Sequence, residues 1–198
     1  MSKIILATHN LHKREELLAL TGNLFEVELL PDDFPEIPET GITLEENSFI
    51  KARFVFERFH KPVFADDTGL EVAALGGAPG VYTARYAGEN ATYADNCNKL
   101  LHELEGKTDR RASFSTVICF INKTGKESFY KGSVEGMITT EFRGTNGFGY
   151  DPVFEPIESG GLTFAEMPSE QKNKLSHRAR AMGSFLLNWV EILKNGTE

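Results

Sequence analysis

Short apolar runs and stretches of helical spacing divide the chain into elements. Residues 4–7 read as a short buried strand, and Leu17, Leu18 and Leu20 follow at helical spacing. Asn10 is the candidate N-cap of that helix and Gly22 its C-cap. Residues 26–30 suggest a second strand, and 31–38, bounded by prolines, an irregular loop. Thr43 followed by Glu46 is a capping-box signature for a helix to about Phe59, with Leu44, Ala52, Val55, Phe56 and Phe59 on its apolar face. Lys51 on this helix reads by default as a surface lysine. Residues 62–65 form an apolar run into Asp66-Asp67-Thr68-Gly69, the pattern of a buried strand ending in a polar turn.

Residues 75–81 are glycine-rich with no period of either kind, and Thr92 caps a helix reaching Leu104 and ended by Gly106. Residues 112–121 alternate and then become apolar on both faces, as in a fully covered strand. The turn 122–125 leads to a return strand at 127–130, with a further strand at 133–138. The last helix opens at Ser176-His177-Arg178 and carries Met182, Phe185, Leu186, Trp189, Val190 and Leu193 on a core-facing stripe.

A chain of 198 residues makes one domain or two closely packed lobes. The net charge of -8 argues against a broad nucleic-acid footprint, while leaving room for a local basic pocket. Cys97 and Cys119 have no metal-binding spacing and read as reduced thiols of a cytosolic protein. Neither a signal peptide nor a bilayer-spanning stretch is evident in the sequence.

Four stretches carry candidate chemistry. Adjacent carboxylates at 66 and 67 repel, so at least one needs a cation, a donor or a raised pKa. If the strand continues through them, their side chains point to opposite faces, one toward a site and the other bracing the structure. The alternative is a solvated Asp-Asp turn with Gly69 at positive φ. Lys13, and later His177 with Arg178, put basic groups at helix starts, the wrong end for the helix dipole but a good one for an anionic ligand. Solvated basic turns are the plainer reading of both. The loop Gly144-Thr145-Asn146-Gly147-Phe148-Gly149-Tyr150-Asp151-Pro152 interleaves glycines with aromatics and suits stacking on a nucleobase. Its alternative is a turn with Phe148 and Tyr150 tucked into the core.

Together these stretches resemble the inosine/xanthosine triphosphate pyrophosphatase family. The matching segments are Thr8-His9-Asn10-Leu11-His12-Lys13, then Glu39-Thr40-Gly41 with Glu46-Asn47 and Lys51-Ala52, then Ala65-Asp66-Asp67-Thr68-Gly69-Leu70. Gly76-Gly77-Ala78-Pro79-Gly80, Thr83-Ala84-Arg85-Tyr86, the loop 144–152 and Ser176-His177-Arg178 complete the series, in order over nearly the whole chain. His9, His12 and Asn146 stand where glycine is common in the family. The resemblance implies an α/β fold, with a long twisted mixed β-sheet and flanking helices forming two lobes around a nucleotide cleft. It also implies a homodimer and Mg²⁺-dependent hydrolysis of ITP, dITP and XTP between the α and β phosphates.

On that basis Asp67 is expected to bind the metal and activate water, with Glu39 as second acidic ligand and Asp66 in support. Lys13, Lys51 and Lys172, with the loop Thr8 to His12, are expected at the phosphates, and Thr68 at a phosphate or the nucleotide. Phe148 is expected to stack on the base, Gly149, Tyr150 and Asp151 to shape its pocket, and His177 and Arg178 to read the purine. Three rivals are a pyrophosphatase for modified pyrimidine nucleotides, a nucleotide-binding regulatory module and an aspartyl phosphomonoesterase. The last lacks the D-x-D spacing, and a simple polyanion binder gains little from clustered acids.

Overall fold

The computed structural model describes residues 3–22 and 24–195, with side chains to 190, so the side chain of Leu193 lies outside the described residues. The strands are β1 (Lys3–Leu6), β2 (Glu26–Leu29), β3 (Val63–Val72), β4 (Pro79–Gly80), β5 (Arg111–Ile121), β6 (Glu127–Ile138) and β7 (Phe154–Pro156). The helices are α1 (Leu11–Thr21), α2 (Leu44–Phe59), α3 (Tyr93–Glu103), α4 (Ser169–Leu175) and α5 (His177–Asn195). Among the described residues the strands form one mixed sheet in the order β2-β1-β3-β5-β6-β7, with β4 paired to β3. β1 is parallel to both β2 and β3, whereas β4 on β3 and β7 on β6 are antiparallel.

The chain divides into two compact units. The first holds residues 1–67, 116–132 and 178–198, the second 68–115 and 133–177. Period-2 alternation sorts the first unit's core into two clusters. Ile4, Leu6 and Phe64 pack with Leu17 of α1 and with Met182, Phe185 and Trp189 of α5. Ile5, Ala7, Val63 and Ala65 pack with Ala52 and Val55 of α2. The second unit has its own core, in which Leu70, Val72, Leu100, Phe114, Val134, Tyr150, Phe154 and Phe164 meet.

The caps follow from the local sequence. Asn10 accepts from the Lys13 amide at the start of α1, and Thr92 and Asp95 form a reciprocal box at the start of α3. At α2 the Thr43 hydroxyl accepts from the Glu46 amide, while the Glu46 carboxylate reaches one residue further back, to the Ile42 amide. The structure corrects three expectations. β3 does not stop at a polar turn but runs unbroken through Asp66-Asp67-Thr68-Gly69, because both carboxylates find cations and Gly69 keeps strand geometry. The two strands expected at 127–130 and 133–138 are one, since a single long partner, β5, stands across the turn. Lys51 is buried, not a surface residue.

Candidate active site

The strand β3 decides where the two carboxylates go. Because successive side chains alternate, Asp66 shares the face of Phe64 and Asp67 the face of Ala65. Asp66 therefore points to the α1 and α5 side, and its Oδ2 lies 3.3 Å from Lys13 Nζ and 3.2 Å from Arg178 Nη2. Arg178 Nε approaches the same oxygen at 3.3 Å, and Nη1 donates to Glu16. Asp67 points to the α2 side, where Lys51 Nζ donates to its Oδ1 at 3.0 Å and also to Glu39.

Burial would push the Asp66 carboxyl up, but the Lys13 and Arg178 charges outweigh it and hold the group well below the usual carboxylate range. Burial pulls the Lys13 ammonium down, and Asp66 restores only part of that loss. For Lys51 the same burial is outweighed by Asp67 and Glu39, so its pKa rises.

The loop that carries Glu39 is tied to α2. Asn47 Oδ1 accepts from the Gly41 amide at 2.8 Å, and a Cβ on Gly41 would stand 2.6 Å from Glu46 Cβ and 2.8 Å from Asn47 Oδ1. Only glycine lets the two segments approach this closely. The opening loop is tied in turn: Thr8 Oγ1 accepts from the Asn10 amide, while His9, Leu11 and His12 are exposed.

In the second unit the loop 144–152 is organised by Asp151. Its buried carboxylate accepts from the Phe148 amide at 2.8 Å and pairs with Lys172. A Cβ on Gly147, at φ +73°, would fall 2.0 Å from Asp151 Oδ2, which makes glycine obligatory there. The Phe148 ring is half-buried, with Lys172 Nζ 5.0 Å from its centroid and Tyr93 at 5.8 Å on α3. Tyr150 takes the structural alternative instead: it is buried, and its hydroxyl donates to the Thr83 carbonyl. The Gly149 carbonyl accepts from the Cys97 thiol, whose pKa burial pushes up to about 12. His177 is buried against the Phe114 ring, 4.1 Å between centroids, and Thr68 is half-buried on β3.

The first unit thus gathers Lys13, Lys51, Asp66, Asp67, Glu39 and Arg178. The second gathers Phe148, Asp151, Lys172 and His177. Glu16 and Asn47 are the residues that sequence reasoning missed as site members. Glu16 looks like any solvated helix glutamate, and only its position three residues after Lys13 hints at a shared face. A divalent cation fits the donor set. Asp67 Oδ2 is buried without a hydrogen bond, an oxygen lone pair open to a hard cation, and Glu39 lies on the same lysine. Among the described residues no group of three or more His, Cys, Asp or Glu is placed to hold a metal ion by itself.

Comparison with known proteins gives a consistent picture. The Ham1 family model matches residues 4–187. A dITP/XTP pyrophosphatase of Thermoanaerobacter sp. (strain X514) is 51% identical, covering 91% of this chain and 92% of its own. One from Listeria monocytogenes serovar 1/2a is 46% identical over the whole of both chains. Among solved structures, a HAM1 protein from Coxiella burnetii superposes with a TM-score of 0.87 at 41% identity, covering 96% of this chain and all of its own. The Staphylococcus aureus Ham1 protein gives 0.84 at 39%, covering 96% and 98%.

Proposed function

The chain belongs to the Ham1 family, and from that premise we propose that it hydrolyses ITP, dITP and XTP at the α–β phosphate bond, releasing the monophosphate and pyrophosphate. The observation that carries this reading is the pair of aspartates on opposite faces of β3, each answered by a buried or half-buried lysine. Water adds across the anhydride bond, and Asp67 orients that water and takes up its proton. Its Oδ2, buried without a hydrogen bond, has separate lone pairs for a cation and for this water. Lys13 and Lys51 neutralise phosphate oxygens, with the Thr8 to His12 loop and the α1 N-terminus as further donors.

Charge explains why a metal belongs to the reaction. Lys13, Lys51 and Arg178 stand against Glu16, Glu39, Asp66 and Asp67, so these seven side chains carry one net formal negative charge. That balance repels a triphosphate, and a divalent cation reverses its sign. Asp67 and Glu39 are the residues that would hold Mg²⁺, which when bound screens phosphate charge and lowers the barrier to attack at phosphorus.

In the second unit Phe148 is the stacking platform for the base. Lys172, which lies over that ring and pairs with Asp151, is reassigned from the phosphates to the base side, where it and His177 supply donors toward the 6-carbonyl of hypoxanthine or xanthine. Adenine offers an amino donor at that position, so a donor would face a donor. Asp151 and Gly149 shape the loop, and Tyr150 anchors it. Arg178, whose three guanidinium nitrogens all address carboxylates, is assigned to the phosphate side. Residues 1–198 act as one functional domain, in a cytoplasmic homodimer.

The test is pyrophosphate release from ITP, dITP, XTP, ATP and GTP, with Mg²⁺ and with a chelator. Metal-dependent release from the first three alone is expected. Indifference to the base would overturn the roles of Phe148 and His177, and release unaffected by chelator would overturn the metal assignment.

A further inference from the structure

The Lys13 ammonium does not have Asp66 to itself. Three cationic nitrogens address the single oxygen Asp66 Oδ2: Lys13 Nζ at 3.3 Å, Arg178 Nε at 3.3 Å and Arg178 Nη2 at 3.2 Å. Each contact is longer than the roughly 2.7–2.9 Å of an unshared charge-assisted bond. A shared carboxylate oxygen guides the ammonium without capturing it, and a lysine has three N–H donors to distribute. Arg178 is itself gripped from the other side by Glu16, and its planar fork makes both orientations definite. Glu16 and Lys13 lie three residues apart on α1, so the frame closes on the helix that carries the lysine. The four charges cancel, and the Asp66 and Arg178 side chains are almost wholly buried.

We propose that Glu16, Arg178 and Asp66 are positioning residues that set where Lys13 presents its ammonium to substrate phosphate. This rests on the phosphate-binding role given to Lys13 above. Without Arg178 in place, Lys13 would close on Asp66 as a tight pair and be withdrawn from the phosphate. Without Glu16, Arg178 would swing wholly onto Asp66 and loosen the start of α1.

A double-mutant cycle tests the coupling, with magnesium tripolyphosphate titrated calorimetrically into the full chain. Glu16→Gln is expected to weaken binding about tenfold when Lys13 is present and less than about twofold in the Lys13→Ala background. In dITP turnover the same substitution raises KM by a similar factor while kcat stays within about threefold. Arg178→Lys, which keeps the charge but loses the fork, carries the same prediction should Glu16→Gln fail to fold. Equal weakening in both backgrounds, or none in the first, overturns the proposal and leaves the phosphate role of Lys13 standing. A wild-type chain that does not bind magnesium tripolyphosphate removes that role itself, and the positioning frame with it.

Discussion

Two adjacent aspartates inside a strand are costly unless each finds its own cation, because burial and mutual repulsion both disfavour ionisation. Here alternation separates them, giving Asp66 to Lys13 and Arg178 and Asp67 to Lys51. Oδ2 of Asp67 is buried without a hydrogen bond, and the proposal that this carboxylate is the general base is tested by substitution. Asp67→Asn is expected to lower kcat for dITP by about 10²–10⁴-fold, as loss of a general base does. A circular dichroism melt should show the fold retained, and a variant with near-wild-type turnover would refute the assignment. Phe148 makes a separable prediction. Stacking of a base on an aromatic ring contributes about 1–3 kcal/mol, so Phe148→Ala should weaken dITP by at least about fivefold and leave tripolyphosphate unchanged. Equal weakening of both would make the ring structural.

At the scale of elements, close approach of segments matters more than their propensities. The Glu39 loop lies on the start of α2 through the Asn47–Gly41 hydrogen bond, at a distance that admits no Cβ. Gly41→Ala adds a methyl into that contact, and such overpacking costs about 1–3 kcal/mol. The expected outcome is a lower melting temperature together with a higher Mg²⁺ concentration for half-maximal activity, because Glu39 moves with its loop. A metal titration checks this, and an unchanged midpoint would separate Glu39 from the metal. The helices themselves were legible from their caps: Asn10, Thr43 and Thr92 each cap where the sequence suggests. The end of β3 was not legible, since Asp-Asp-Thr-Gly is turn chemistry unless cations lie across both faces.

At the scale of the whole molecule, the buried charges tie stability to pH. Asp66 has a folded pKa below its ordinary 3.8, so it binds fewer protons folded than unfolded. Its contribution is therefore complete above that ordinary value and is lost as pH falls below it. Urea unfolding of the metal-free chain between about pH 2 and pH 5 should show stability declining toward acid, with a shallower slope in Asp66→Asn. An identical slope in the two proteins would mean that Asp66 gains nothing from its partners. Each unit has its own apolar core, and the aspartate pair with its lysines belongs to the first. Among the described residues no helix is long and apolar enough to cross a membrane.

Local rules act over a few residues, and what they govern was determined by the sequence alone. These are the caps, the apolar stripe of α5, the alternation of β5, the glycine–aromatic loop, and the order of motifs that points to the family. Tertiary structure decided which charged residues are buried and what they meet. Lys51 reads as surface because nothing within its helix distinguishes it, and it is buried because Asp67 and Glu39 lie opposite. Arg178 and Glu16 stand 162 positions apart and become partners only when α1 and α5 pack on the same face of the sheet. Desolvation depends on everything within a few ångströms, and that neighbourhood is assembled from distant segments. The aspartate pair was therefore legible locally, and which cations each of the two meets was set by the fold.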